Sequence, residues 1–384
     1  MKPRTKFNLR KTKIYLNFHN YSESNFNVKQ KFGARVKKLF FVFSLFLMAG
    51  LLSACSLVGQ PQASTDGGIF KSVDSAETWM HKVLISQTNK GASTIATANT
   101  SLLVFDSKDK NKLYLSTKGN GVFKTENGGD NWQQTTLNTG EYVSIAIDPR
   151  NTDVLYVARG STIQKSIDGM KTWQTIYVET RPGQSITSVI VDLSDPSKIY
   201  ATTNTGILKS FDYGNTWQVL KWVGNNVNKL YMSEKDTRTI YLVTTNAGIF
   251  KTTDSGENWQ DISQGLQKYP GGNNIKWFYF DPKTELIYLG TDYAPIKSED
   301  GGKTWTPLET LIPFGSLPIQ TVAVNPKNNK DIFFTVSNII YKSVDGGQTW
   351  KTLKTVNTGR IINYFLINQD SPNIIYIGTL KQAK

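Results

Sequence analysis

Apolar and polar residues alternate with a period of two through most of this chain, in short runs separated by Gly, Pro, Asn and Asp. That is the pattern of half-buried antiparallel strands joined by tight turns. Segments such as Gly121-Val122-Phe123-Lys124, Gly206-Ile207-Leu208-Lys209 and Gly248-Ile249-Phe250-Lys251 are ready for hairpins. Upstream of them lie pairs of strands around a turn: 142–147, then Asp148-Pro149-Arg150-Asn151, then 154–158. The same plan recurs at 277–280 before Asp281-Pro282 and at 321–324 before Asn325-Pro326, with Pro just past a strand end, where sheets tolerate it.

One further pattern recurs seven times: Ser or Thr, any residue, Asp, any, Gly, any, Thr or Asn, Trp. The copies start at Ser72, Thr125, Ser166, Ser210, Thr252, Ser298 and Ser343, and carry Asp74, Asn127, Asp168, Asp212, Asp254, Asp300 and Asp345. They end in Trp79, Trp132, Trp173, Trp217, Trp259, Trp305 and Trp350, spaced by 53, 41, 44, 42, 46 and 45 residues. That period suits a four-stranded propeller blade. A carboxylate in a tight turn accepts its own loop's N–H groups, and Gly two residues later takes a positive φ without a Cβ clash. The Trp then begins a strand, where its area fills the space between neighbouring sheets and its N–H is available to a carbonyl. Ala76 and Met170 stand where Gly is expected, each costing about 1 kcal/mol at positive φ.

A strand pair plus box occurs six times between Leu102 and Trp350, leaving a box alone at the start and a pair alone at the end. These halves complement each other: 361–367 and 374–378 supply two inner strands, and 68–72 and 78–83 two outer ones. The expected fold is all-β, a single seven-bladed propeller over residues 67–384, closed by its own chain ends and so without open edges.

Residues 39–54 are almost wholly apolar, follow Arg35, Lys37 and Lys38, and end in small residues, the order of a signal peptide. An uncut membrane anchor is the alternative, although sixteen residues are short of the ~20 a span needs. Leu52-Ser53-Ala54-Cys55 resembles the lipobox of bacterial lipoproteins, which implies acylation of Cys55 and cleavage before it. We expect a signal segment at 1–54 with an over-long amino-terminal region, a lipidated Cys55 with a flexible tether at 55–66, and an exported, monomeric protein anchored on the outer side of a bacterial membrane. The chain carries +14, but +10 of it falls in residues 1–54, so the remainder is nearly balanced and nucleic acid is not an expected partner.

With one Cys and two His, most zinc, haem and triad arrangements are excluded, and box turns offer too few oxygens for calcium. No metal or cofactor is expected. The boxes resemble the Asp-box, or bacterial-neuraminidase, repeat, found in sialidases, xyloglucan-degrading enzymes, sortilin-type receptors and the photosystem II assembly factor family. A single exported ring most resembles the last, which implies a non-enzymatic platform that holds partly assembled membrane proteins through an Arg-rich patch. Only Arg150, Arg159, Arg181, Arg238 and Arg360 follow the signal segment, so neither that patch nor a sialidase Arg cluster can be carried over. The acids expected opposite the boxes, Glu141, Glu179, Asp292 and Glu309, read as loop charges rather than a glycosidase pair. The candidate binding face comprises Lys118, Arg159, Tyr177, Arg181, Tyr269, Asp292, Tyr293 and Phe314, on connections that include 175–185, 262–274 and 307–318. The expected partner is a membrane or envelope protein, with a glycan as the alternative.

Overall fold

The computed structural model describes residues 65–89, 91–224, 227–245, 248–281 and 283–382; the expected signal segment, lipobox and Cys55 lie outside them. Seven four-stranded antiparallel sheets form the blades of a propeller. Blade 1 comprises Thr100–Phe105, Leu113–Thr117, Val122–Thr125 and Gln133–Gln134, from the axis outward. Blades 2 to 6 repeat this order, beginning at Ser144–Ile147, Ile186–Val191, Val227–Met232, Ile275–Phe280 and Thr321–Asn325. Blade 7 takes Ile361–Ile367 and Ile375–Leu380 from one end of the ring and Ile69–Ser72 and Met80–His81 from the other.

Closure therefore runs where the sequence pattern put it. Ile69 pairs with Gly378, Phe70 with Ile377, Lys71 with Tyr376 and Ser72 with Ile375. Asp66 adds a clasp. Its carboxylate accepts hydrogen bonds from Arg360 Nε (3.1 Å) and Gly359 N (2.8 Å), while Arg360 Nη1 reaches the carbonyls of Thr97 and Ala98. Asp66 was expected in a flexible tether; a nearly buried guanidinium makes it part of the fold instead.

The core lies between blades, because each sheet is apolar on both faces. Phe70, Phe333, Phe365 and Ile377 pack blade 7 on blade 6, and Tyr241, Phe278, Phe280 and Leu289 pack blade 5 on blade 4. Each such fully buried side chain contributes roughly 1.5–3 kcal/mol. The 53-residue spacing between the first two tryptophans also has a cause. An exposed hairpin, Leu84–Thr88 with Gly91–Thr94, is inserted between blades 7 and 1; its Ser, Thr and Gln composition gave no clear strand pattern.

The boxes are built by side chains. In blade 3, Ser210 Oγ accepts the N–H of Gly214 (2.9 Å) and donates to Asp212 Oδ1 (2.8 Å), which also accepts Thr216 N (2.8 Å). Thr216 Oγ1 donates to the other carboxylate oxygen at 2.6 Å. Ala76 and Met170 do sit at φ 73°, in the left-handed region. The preceding position, read as unrestricted, is left-handed as well: Ser75, Tyr213 and Ser255 have φ of 60–62°, and Gly128, Gly169, Gly301 and Gly346 fill the other four boxes.

A second repeat was missed: each box is immediately preceded by Lys, at 71, 124, 165, 209, 251, 297 and 342. Lys165, Lys209 and Lys251 lie directly across from Tyr156, Tyr200 and Tyr241 on the second strand, with Nζ 5.0–5.5 Å from the ring centroids. Their ammonium groups bridge blades. Lys71 Nζ donates to Gly128 O, Lys165 to Tyr213 O, Lys209 to Ser255 O and Lys342 to Ser75 O, each the left-handed residue of the next box. In these four boxes the doubly left-handed turn presents that carbonyl outward, and the lysine of the preceding blade takes it.

Candidate functional site

Antiparallel strands alternate in direction, so the boxes and the turns between first and second strands share one face of the ring. The turns between second and third strands, and the connections between blades, share the other. Asp66 and Arg360 lie on this second face, which also carries the candidate binding residues.

The tryptophans occupy the gaps between blades. Trp132 and Trp305 are buried, and their indole N–H groups donate to Lys82 O and Ile262 O, just past the outermost strand of the preceding blade. Trp173 and Trp350 donate to Thr136 Oγ1 and Glu309 O in the same way. Trp217 and Trp259 turn back to Gly214 O and Gly256 O in their own boxes, while Trp79 Nε1 is buried with no acceptor among the described residues. Asn127 repeats the bonds of the aspartates, accepting Thr125 Oγ1 and Asn131 N.

Thr216 donating its hydroxyl and N–H holds Asp212 down to about 2, and Thr78 does the same for Asp74. Burial alone would raise Asp300, but the hydroxyl and N–H of Thr304 outweigh it and bring it to about 2. Among the described residues no three His, Cys, Asp or Glu side chains converge as metal ligands.

On the loop face, several candidates are engaged within the protein. Tyr177 sits in the strand Gln174–Val178, not in a loop; its ring packs on Trp217 and its hydroxyl donates to Glu179 Oε2 at 3.2 Å. Arg181 grips the same carboxylate with Nε and Nη2, at 2.9 and 2.6 Å, and lies over the Trp222 ring at 4.0 Å. That pairing holds Glu179 down to about 2, opposite to what a general acid needs. Asp292 is paired with Lys276 (3.3 Å) and Asn274 (3.0 Å). Glu141 accepts a hydrogen bond from Ser101 Oγ. Arg159 stacks over Tyr142 at 5.6 Å, and Lys118 is exposed on the turn after the second strand of blade 1. The arginines are split between the faces: Arg150, which donates to Ser194 O, and Arg238, which pairs with Asp236, lie on the box face, and Arg159, Arg181 and Arg360 on the other.

One part of this face is built differently. Tyr269 donates its hydroxyl to Trp305 O (3.1 Å) and stacks on Tyr293 (centroids 5.3 Å), which stacks on Phe314 (4.9 Å, rings 17° apart). Gly315 N donates to Tyr293 O and Ile319 N to Thr291 O, so the connection from blade 5 to blade 6 is laid over the Asp292–Tyr293 turn. The stack ends at solvent: Phe314 is 44% exposed, between Leu311 at 60% and Leu317 at 49%. The sequence reading found the three rings but not the two leucines. Their signal was an apolar residue every third position in a Pro-containing loop, 311, 314 and 317, with no strand to bury it.

Residues 223–371 match the profile of the family described as photosynthesis system II assembly factor YCF48. No curated protein sequence matches. A solved structure of YCF48 with a bound D1 peptide is similar to this chain at 15% identity and a TM-score of 0.58, covering 73% of this chain and 92% of that one. YCF48 from Cyanidioschyzon merolae gives 14% identity and 0.58, covering 73% and 95%. The GH74 xyloglucanase of Xanthomonas campestris gives 16% and 0.59, covering 78% of this chain and 52% of its own. These likenesses bear out the Asp-box propeller and the resemblance to the assembly factor family. At these identities they carry the fold and leave the activity open.

Proposed function

We propose that this protein is a non-enzymatic binding platform that holds a segment of a membrane or envelope protein on the loop face of its propeller. The observation that carries this is the aromatic stack Tyr269–Tyr293–Phe314 opening between exposed Leu311 and Leu317. A rigid, backed aromatic surface with a polar rim is what protein partners anchor on. The loop acids point the same way, since Glu179 and Asp292 are each consumed by a neighbouring cation. The YCF48 structure with a D1 peptide supports a protein partner for a ring of this kind. We extend the proposal to the expected export and to anchoring through lipid on Cys55.

A photo-crosslinking residue at position 314, in protein recovered from its native membranes, tests the reading. Crosslinks to a small set of membrane or envelope proteins, lost in a Leu311→Ser, Phe314→Ser, Leu317→Ser variant, are expected. Retention on cell-wall glycan, or glycoside turnover abolished by Asp292→Asn, would replace this function with a carbohydrate one. The xyloglucanase likeness makes that arm worth running.

A further inference from the structure

The ring axis holds a cavity of about 400 Å³, within the range of small-molecule sites. Its wall is mostly aromatic and apolar. Trp277 of blade 5 and Tyr364 of blade 7 meet edge to face, centroids 5.0 Å apart, and Tyr231 of blade 4 packs on Phe278 at 4.6 Å. Two large rings meeting across the axis leave room for a compact occupant rather than a threaded chain.

One lysine on the inner strands of this wall is left over. Lys229 lies two residues before Tyr231 on the first strand of blade 4, and its Nζ is 5.4 Å from that ring. Unlike the seven lysines that precede the boxes, it belongs to no repeat, and no carboxylate pairs with it among the described residues. Protein surrounds it although part of its surface opens to the cavity, and burial alone pushes its amine down to about 8. It is therefore still protonated near neutral pH, with no counter-ion among the described residues.

An uncompensated ammonium in a low-dielectric pocket costs free energy that an anion recovers. We propose that the axial cavity is a binding site for a small aromatic carboxylic acid. Its carboxylate pairs with Lys229, and its ring packs among Trp277, Tyr364 and Tyr231. This site is independent of the loop face and of any protein partner there.

Calorimetric titration of the folded protein with hydroxynaphthoate and with the corresponding uncharged amide tests the assignment. Charge-assisted hydrogen bonds of ~1.5–3 kcal/mol correspond to about tenfold or more in affinity, so the acid should bind at least about tenfold more tightly than the amide. Lys229→Met should abolish the difference, whereas Lys171→Met, on the box face, should keep it. The wild-type comparison stands even if a variant folds poorly. Equal binding of acid and amide, undiminished acid binding by Lys229→Met, or no acid binding at millimolar concentration would each overturn the proposal.

Discussion

Gly346 shows how much a single residue in these turns matters: it takes φ 80° with nothing within 4 Å of where a Cβ would stand. Gly346→Ala therefore isolates backbone preference and should cost about 1 kcal/mol, read as a lower urea midpoint. Ser75, at φ 61° in the equivalent position, should give the opposite sign as Ser75→Gly, a gain of up to about 1 kcal/mol. The carboxylates of the same turns make a pH prediction. Asp74, Asp212, Asp254 and Asp300 are held at about 2 in the folded protein, against ~3.9 unfolded, so the unfolded chain binds their protons first as pH falls. Their stabilisation is complete above about pH 5 and is lost as pH falls toward 2. Denaturant midpoints measured between pH 6 and 2 should drop along that window. Asp212→Asn should flatten the drop by lowering stability at neutral pH, because an amide oxygen keeps the bonds from the Ser210 hydroxyl and Thr216 N–H, as Asn127 does in blade 1, but carries no charge to lose.

Between blades, four of the lysines before the boxes do what no residue inside one blade can, whereas Lys124 and Lys297 pair with Glu126 and Glu299 of their own boxes. Lys209 is nearly buried and donates to Ser255 O at 3.1 Å; Lys209→Met would leave that carbonyl without its donor. A loss of ~1–2 kcal/mol is expected by chemical denaturation. The contact also marks the limit of what could be read beforehand. The box is legible because Ser, Asp, Gly and Trp act on each other within eight residues, and the blade period follows from their spacing. The lysine acts 46 residues away, on a backbone oxygen that carries no residue identity, so its repetition was visible and its role was not. The candidate site divides along the same line. Tyr269, Tyr293 and Phe314 were legible as loop aromatics, but their stacking needed three separate loops to be brought together. Arg181, a candidate for a partner, is consumed two residues away by Glu179.

For the whole ring, stability rests on a seam made from residues some three hundred positions apart. Removing 361–384 deletes the two inner strands of blade 7, leaves Ile69–Ser72 an open edge paired only with Met80–His81, and bares the apolar faces of blades 6 and 1 that packed on it. Aggregation or loss of a single cooperative transition is expected; a monomeric, cooperative truncation would contradict closure. A gentler probe is Arg360→Met, which removes the clasp on Asp66 and should cost ~3 kcal/mol, measured by denaturation at neutral pH.

The clasp has a mechanical consequence. Tension applied to the chain ahead of Asp66 first meets the Arg360 guanidinium and the Gly359 N–H, and then passes into Ile69–Ser72 along its own axis. A strand pulled lengthwise loads its hydrogen bonds to both neighbours in shear, all at once, rather than peeling them one by one. The seam that looks weakest by connectivity is thereby the one best oriented to bear a pull.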